Sequence, residues 1–280
     1  MKKVIALDIG GTNTRCALIN ENYEIENINI NPTVTGNVET FLNSIKVIID
    51  KTIAGFEKDV VAIGAGLPGR IRWDGYINEL PNVHIEKIPL SAFLEKHYKV
   101  PVSIKNDAEV ASLAEANVGE YSSYNSLYFI TISTGVGGAF TKKGELINSS
   151  YEVGHTLIEY KGELYEFEHL ASGTGLVKLA KLNGLEIENS LQLFNLVLKK
   201  DPLSLKIYDE WLNLLAQFIK MVYDLFKPEV FTLTGGVMKS ADIFFQDLQN
   251  RVPFANLKKC SCGQEAGLLG AASVALKISN

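Results

Sequence analysis

The sequence has little cysteine, no cluster of basic residues and no long apolar run. Its three cysteines, Cys16, Cys260 and Cys262, are odd in number and scattered, which argues against a disulfide framework. Cys260 and Cys262 are spaced like half of a metal site, but no second pair follows, so we interpret them as ordinary thiols. The net charge of −5, without a lysine and arginine cluster, argues against nucleic acid as a partner.

Membrane insertion and secretion are also disfavoured. No apolar stretch reaches the length of a membrane span. Met1-Lys2-Lys3 leads directly into a short strand that contains Asp8, which is unlike a signal peptide. We therefore expect a cytoplasmic protein without membrane contact. The 280 residues are 46% hydrophobic and 21% charged, enough for one large domain or two ordinary ones with a substantial core.

The first third of the chain alternates strand and helix patterns. Short apolar runs predict strands at 4–7, 16–19, 60–65 and 100–104, and helical spacing covers 38–56 and 108–117. This alternation is typical of α/β proteins. The longest predicted helix spans 202–226, where apolar residues recur at alternating steps of three and four. Such a seam is typical of a core helix or of a dimer contact.

Residues 8–15, Asp-Ile-Gly-Gly-Thr-Asn-Thr-Arg, form a candidate phosphate-binding hairpin. Two adjacent glycines let backbone N–H groups approach an anion, while Thr12 and Asn13 add side-chain donors. Asp8 offers an oxygen for hydrated Mg²⁺. The motif lacks the Gly-Lys-Ser/Thr ending of a Walker loop and the GxGxxG of a dinucleotide site. The alternative interpretation is an ordinary hairpin with a type I′ turn.

The same pattern returns later in the chain. An apolar strand, 127–132, runs into Ser133-Thr134-Gly135-Val136-Gly137-Gly138 and then into a second strand. The two hairpins predict two related halves that face a cleft. A third strand, 230–233, ends in Thr234-Gly235-Gly236, where the missing side chains would let a base or ribose approach the backbone.

Taken together, these motifs resemble those of the ROK family of sugar kinases and repressors, in the hexokinase–actin superfamily. The matching pieces occur in family order: two phosphate motifs at 8–15 and 133–138, the loop near the sugar at 66–69, the catalytic Asn-Asp at 106–108, a Glu-Ile-Gly-His counterpart at 152–155, a sugar-contacting Glu168 followed by 171–173, the adenosine motif at 234–236, and a closing helix at 267–272. The resemblance implies a two-lobed actin-like (ribonuclease H-like) α/β fold, with duplicated β-hairpin phosphate motifs around a central cleft. We expect one lobe to comprise 1–117 with 266–280 and the other 118–265.

The resemblance also implies roles for individual residues. Asp107 is the expected general base; the alternative is that it caps the helix that follows it, and one residue could do both. The expected sugar-binding residues are Gly66, Asn82, Asn106, Asp107, Glu152, His155 and Glu168. The expected ATP-binding residues are Asp8, Gly10, Gly11, Thr12, Asn13, Arg15, Thr134, Gly135, Gly137, Gly235 and Gly236, with Asp8 holding Mg²⁺ through water.

The sequence departs from the family at the zinc motif. Many members bind zinc through the histidine that matches His155 and through a Cys-x-Cys-x₄-Cys run, whereas residues 159–168 here contain no cysteine. We therefore expect no zinc through this motif, and we expect packing by Tyr160, Tyr165 and Phe167 to hold His155 instead. Further departures, at Lys105, Glu109 and Tyr151, flank the expected sugar site and leave the sugar's identity open.

The expected function is that of an ATP-dependent sugar kinase that phosphorylates a hexose at its 6-hydroxyl, with glucose or a broad range of hexoses as first choice. N-acetylmannosamine, N-acetylglucosamine and fructose remain alternatives. A sugar-sensing regulator is a second class, disfavoured because the first strand begins at Val4 and leaves no room for an N-terminal helix-turn-helix. An actin-type ATPase that acts on a protein is a third, disfavoured by the sugar-type motif at 152–155. We expect a homodimer.

Overall fold

The computed structural model describes residues 2–80, 83–147 and 152–279, and its chain divides into two compact units. The first unit comprises Met1–Ser122 and Ser261–Asn280, and the second is Ser123–Cys260. The assignment of these units to the two predicted lobes stays a prediction. None of the helices within the described ranges has the length and apolar character of a membrane span.

The first unit is built on a five-stranded sheet. Its elements are β1 (Lys3–Ile9), β2 (Asn13–Asn20), β3 (Ile25–Pro32), α1 (Val38–Ile53), β4 (Val60–Leu67), β5 (Arg70–Ile71), β6 (Ile77–Leu80), β7 (Ile85–Ile88), α2 (Leu90–Tyr98), β8 (Val102–Asn106) and α3 (Asp107–Asn117). The main sheet has the order β3-β2-β1-β4-β8, and β5, β6 and β7 form a small separate sheet. β1 is antiparallel to β2 but parallel to β4, which is in turn parallel to β8.

The parallel strands explain why sequence-distant polar residues meet in this unit. Because β1, β4 and β8 run in the same direction, their carboxyl ends lie along one edge of the sheet. Asp8 is in register with Gly66 of β4, which is in register with Lys105 of β8. Asn106 ends β8 and Asp107 begins α3. This edge therefore carries the first half of the motif set.

The second unit repeats the arrangement. Its elements are β9 (Ser126–Ile132), β10 (Val136–Lys142), β11 (Glu145–Leu146), β12 (Leu157–Tyr160), β13 (Glu163–Glu166), α4 (Glu168–Ala171), α5 (Gly173–Leu182), α6 (Ser190–Leu198), α7 (Pro202–Phe226), β14 (Val230–Thr234), α8 (Ala241–Arg251) and β15 (Leu257–Lys259). The order β11-β10-β9-β14-β15, with β9 antiparallel to β10 and parallel to β14, matches that of the first sheet. The internal repeat in the sequence is thus a repeat of a whole sheet topology.

Helix α7 forms the centre of the second unit's core. It begins after Asp201, whose side chain accepts a hydrogen bond from Ser204 N at 2.8 Å, and it ends at Lys227 in the left-handed conformation. Its predicted apolar seam is buried except at Leu205, which is 39% exposed. The seam thus packs within the unit, where α7 contacts α4, α5, α6 and α8.

The last helix, α9 (Ala266–Ile278), belongs to the first unit and packs closely on β4 and α3. A Cβ built on Gly64 of β4 would lie 1.9 Å from Ala271 O, and one built on Gly270 would lie 1.7 Å from Val110 O. Both glycines are therefore required by the close approach of backbones. The helix covers a buried cluster formed by Val4, Ala6, Ala17, Ile19, Ala62, Leu268, Ala271, Ala272 and Ala275.

Candidate active site

The first glycine turn connects β1 to β2 through Gly10, Gly11 and Thr12. Gly10 N donates to Asn13 O at 2.9 Å. Neither Gly10 nor Gly11 has a positive φ, whereas a type I′ turn needs positive φ at both central residues. The alternative interpretation as an ordinary type I′ hairpin is therefore wrong.

Thr33 holds this turn from a distant position in the sequence. Its N–H donates to Thr12 O at 2.9 Å and its Oγ1 donates to Gly10 O at 2.7 Å. Within the described residues, the N–H groups of Gly11 and Thr12 donate no hydrogen bond. The turn thus keeps two adjacent backbone donors available for an anion.

Asp8 lies beside the turn among charged neighbours. It is in register with Arg15 across the hairpin, and Arg15 Nη1 lies 3.7 Å from Asp8 Oδ2. Arg15 Nη2 contacts both carboxylate oxygens of Glu265, at 2.8 and 2.9 Å, and Arg15 also donates to the carbonyl of Gln264. Burial raises the pKa of Asp8; the charge of Arg15 opposes this, and the carboxylates of Asp107 and Glu265 add to it.

Asp8 is the residue beside this turn that could hold a divalent cation. The negative charges of Asp107 and Glu265 disfavour the Asp8 carboxylate, and a cation bound there would relieve that repulsion. Carboxylate oxygens are ligands that Mg²⁺ accepts. Gly267, at the start of α9, leaves room for the Asp8 carboxylate, since a Cβ there would lie 2.5 Å from Asp8 Cγ.

Asn106 and Asp107 share the strand-to-helix junction but have different structural tasks. The helix cap is Asn106, whose Oδ1 accepts from Ala108 N at 2.9 Å, while Glu109 Oε2 accepts from Asn106 N at 2.9 Å and completes a capping box. The N-cap position is thus occupied by Asn106 and not by Asp107, which is the first helical residue, although Asp107 Oδ1 also accepts from Ala108 N at 2.9 Å. Gly66 is buried in β4, where a Cβ would lie 2.4 Å from a methyl group of Val110.

The second glycine turn, Ser133 to Gly135, is held in a way that parallels the first. Thr174 Oγ1 donates to Thr134 O at 2.6 Å, and Gly173 N donates to Ser133 O at 2.7 Å. In the described part of the chain, the N–H groups of Thr134 and Gly135 donate no hydrogen bond. A threonine from a later segment thus positions each turn, and each turn leaves two amides open.

The third glycine motif lies beside the second turn, at the end of β14. Gly235 has φ +105°, and a Cβ there would lie 2.3 Å from Ile132 O at the end of β9. A Cβ on Gly236 would lie 3.4 Å from Ser133 Oγ. Since β9 and β14 are parallel neighbours, the second phosphate motif and the expected adenosine motif adjoin each other within this unit.

The expected sugar-binding carboxylates and histidine of the second unit also converge. Glu152 precedes a short 3₁₀ helix, Val153–His155, and Glu168 begins α4. Glu168 Oε2 accepts from Val136 N at 3.1 Å, and a Cβ on Gly135 would lie 2.5 Å from the same oxygen. His155 Nδ1 lies 4.0 Å from Glu168 Oε1. The second turn and the expected sugar site thus meet at Glu168.

The cysteine-free segment forms a hairpin of β12 and β13 joined by Lys161 and Gly162, both at positive φ as in a type I′ turn. Tyr160 and Tyr165 pack edge to face across it, and Phe167 stacks on Phe218 of α7 at 4.2 Å. These aromatic rings hold the hairpin. The direct partner of His155 is instead Glu166, whose Oε2 accepts from Nδ1 at 2.8 Å.

The structure thus gathers Asp8, Gly10, Gly11, Thr12, Asn13, Arg15, Gly66, Asn106 and Asp107 in the first unit, and Thr134, Gly135, Gly137, Glu152, His155, Glu168, Gly235 and Gly236 in the second. Asn82 and Tyr151 lie outside the described residues. Sequence reasoning missed the residues that hold the motifs, which are Thr33, Thr174, Glu166 and Glu265. None belongs to a recognisable pattern.

The thiols have no place in this constellation. None of the three cysteines, all within the described residues, forms a disulfide, and burial raises the pKa values of Cys16 and Cys262 to about 12. Cys16 and Cys262 are accordingly poor nucleophiles and poor metal ligands near neutral pH.

Comparison with known proteins decides the family. A model of the ROK family matches residues 4–278. The chain belongs to the ROK family. It is 26% identical over 307 residues to a glucokinase from Halalkalibacterium halodurans, covering 95% of this chain and 92% of that protein.

Two solved structures support the same conclusion for the fold. A ROK hexokinase from Thermus thermophilus matches with a TM-score of 0.86 and 25% identity, covering 98% of both chains. A ROK glucokinase from Streptomyces griseus, solved with glucose and AMPPNP, matches with a TM-score of 0.73 and 22% identity over 98% of this chain and 99% of that one. The predicted family, the actin-like α/β fold and the enzyme class of ATP-dependent sugar kinase are confirmed for this ROK protein.

Proposed function

We propose that this ROK protein transfers the γ-phosphoryl group of ATP to the 6-hydroxyl of a hexose, with glucose or a range of hexoses as acceptor and Asp107 as general base. The observation that carries the proposal is the pair of glycine turns, each held by a threonine and each with two open backbone amides. Phosphoryl transfer depends on charge neutralisation and positioning, which such turns can supply.

The residues that we propose for binding the nucleotide are Asp8 and Arg15 beside the first turn and the glycines at 235 and 236 beside the second. Backbone N–H groups bind phosphate oxygens without adding charge that must be desolvated. Asp8 would hold Mg²⁺, which neutralises phosphate charge when bound. Glu265 keeps the Arg15 guanidinium beside Asp8, so the acidic and basic partners are held together before ATP binds.

The residues that we propose for binding the acceptor are Asn106 and Asp107 within the first unit, and Glu152, His155 and Glu168 within the second. Adjacent sugar hydroxyls present paired donors, which carboxylates and amides accept. Asn106 is the N-cap of α3 and Asp107 is exposed at the first helical position, so we assign to the Asp107 carboxylate the acceptance of the proton of the attacking hydroxyl. The glucokinase relative and the glucose complex of a similar fold favour glucose as first acceptor.

A coupled assay of ADP release over a sugar panel tests the function. Glucose, mannose, fructose, N-acetylglucosamine and N-acetylmannosamine are compared at equal concentration with ATP and Mg²⁺. We expect the highest kcat/KM with glucose. A higher kcat/KM with an N-acetylated sugar would make an N-acetylhexosamine the proposed substrate. ADP release that no sugar increases would contradict the proposed kinase activity.

Asp107→Asn tests the general base directly. We expect kcat to fall by about 10²–10⁴, because the amide cannot accept the hydroxyl proton, while sugar affinity measured by calorimetry changes little. Asp59→Asn, an exposed aspartate of the same unit, is the control and should retain full activity. Loss of less than about tenfold in Asp107→Asn would refute the assignment.

A further inference from the structure

The hydrogen bond between His155 and Glu166 replaces the aromatic support that the sequence suggested. His155 Nδ1 lies 2.8 Å from Glu166 Oε2, and Glu166 is in register with Leu157 on the neighbouring strand of the hairpin. A ring nitrogen that faces a carboxylate carries the proton, and this fixes the state of the other ring nitrogen. In the neutral ring, Nε2 is then the acceptor.

The hairpin that carries Glu166 is itself fixed to the core of the second unit. Tyr160 OH donates to Glu210 Oε2 on α7 at 2.6 Å, and Asn183 Nδ2 donates to Tyr160 OH at 2.7 Å. At the base of the hairpin, Phe167 N donates to Thr156 O at 2.8 Å. Glu166 is therefore held at a set distance from His155 by contacts on both sides.

From this geometry we propose that Glu166 is a positioning residue for sugar binding: it holds the His155 ring through Nδ1 and leaves Nε2 for a sugar hydroxyl. The inference rests on the proposed function, since it assumes that His155 contacts the sugar. Glu166 acts only through His155.

The neighbouring groups are compatible with this arrangement. Glu152, Glu168 and His169 also face the pair: Glu168 Oε1 lies 4.0 Å from His155 Nδ1, and His169 Nε2 lies 3.6 Å from Glu166 Oε2. His155, Glu166 and Glu168 offer donor atoms within 4.8 Å of one another, a spacing that a metal ion could also bridge. Glu168 Oε2 is already engaged with Val136 N, and His155 and Glu166 bind each other directly. We therefore assign the contact to a direct hydrogen bond.

Glu166→Ala, with Glu159→Ala as control, tests the proposal by kinetics. Glu159 is an exposed carboxylate on the same hairpin. We expect Glu166→Ala to raise the sugar KM about tenfold with little change in the KM for ATP, as for loss of a charge-assisted hydrogen bond at a half-exposed site. Glu159→Ala should match the wild type. An unchanged sugar KM in a folded Glu166→Ala protein would overturn the proposal.

The tautomer of His155 provides a readout that needs no sugar. Long-range ¹H–¹⁵N spectra of the four histidines, assigned with His155→Gln, should show Nδ1–H in the neutral wild-type ring and a shift toward Nε2–H in Glu166→Ala. An unchanged tautomer would refute the positioning role. If the tautomer depends on Glu166 but no sugar is phosphorylated, the proposed function has failed, and the positioning role for sugar falls with it.

A double-mutant cycle and metal analysis complete the test. In a His155→Gln background, Glu166→Ala should raise the sugar KM no further, because its effect passes through His155. Fully additive effects would overturn the proposal. Stoichiometric zinc in the purified protein that is lost in Glu166→Ala would do so as well, because the three side chains would then be metal ligands.

Discussion

Substitution of the two glycines of α9 should separate folding from catalysis. Gly267 and Gly270 lie one turn apart, and each approaches another part of the first unit. A Cβ on Gly270 would lie 1.7 Å from a backbone carbonyl oxygen, that of Val110, about half the 3.4 Å of an ordinary contact. A Cβ on Gly267 would instead meet the end of a side chain, that of Asp8, at 2.5 Å.

The size of the Gly270→Ala effect follows from what can move. The carbonyl of Val110 belongs to helix α3, so the closely packed helices α3 and α9 must separate. Overpacking of this kind costs roughly 1–3 kcal/mol and occasionally more, and the gain of about 1 kcal/mol in helix propensity offsets part of it. We expect a net loss of up to about 2 kcal/mol, which is roughly 4–8 °C in melting temperature.

Gly267→Ala should behave in the opposite way. The Asp8 carboxylate can rotate, so stability should remain within about 1 kcal/mol of the wild type. The same rotation displaces the proposed magnesium ligand, and a displacement of about 1 Å costs on the order of a hundredfold in rate.

Thermal unfolding by circular dichroism and the ADP-release assay together measure both effects, each variant serving as the control for the other. Wild-type stability in Gly270→Ala would show that the backbones of α3 and α9 do not approach each other closely at Gly270. Full activity in Gly267→Ala would show that the position of the Asp8 carboxylate is not critical.

Two further predictions concern local contacts. Glu109→Ala should lower the free energy of unfolding in urea by about 0.5–1 kcal/mol, because it removes half of the capping box. Glu109→Gln keeps a hydrogen-bond acceptor and should not destabilise the protein. An equal loss of stability in both variants would show that the capping box is not the cause. The second prediction is a pH dependence of the His155–Glu166 pair. The hydrogen bond to Glu166 raises the pKa of His155 above 6.5. The stability that protonated His155 contributes is therefore fully present below about pH 6.5 and is lost as the pH rises through the raised pKa. The hydrogen bond from His155 lowers the pKa of Glu166 below 4.5. The stability that ionised Glu166 contributes is therefore fully present above about pH 4.5 and is lost as the pH falls through the lowered pKa. The melting-temperature difference between wild type and Glu166→Gln should therefore be largest between pH 4.5 and 6.5 and smaller at pH 9, and a difference that grows with pH would refute the assignment.

Much of the fold was predictable because its signals are local. The apolar seam of 202–226 and its Asp-Pro start predicted α7 to the residue, since period and capping are both readable from neighbouring side chains. The repeated glycine hairpins likewise indicated two related halves, and the two five-stranded sheets do share one topology. The junction at 106–107 was harder, because asparagine and aspartate are equally good caps and only the backbone conformation distinguishes them.

The supporting residues of the site were not predictable from sequence. Thr33 reaches the first turn from about twenty residues away, and Glu265 reaches Arg15 from the other end of the chain. Glu166 is one of several glutamates between 159 and 168, and only the register of the hairpin selects it as the partner of His155. These contacts depend on tertiary placement, which no local pattern encodes.

The return of α9 to the first unit has a consequence for biosynthesis. The second unit is one continuous segment and can complete its core as soon as residue 260 has been made. The first unit, although its strands are made first, exposes Val4, Ala6 and Ala62 until α9, which follows the whole second unit in the chain, has been made. The nascent chain thus carries an uncovered apolar sheet face while the second unit is being made, and aggregation and chaperone binding compete with folding during that time.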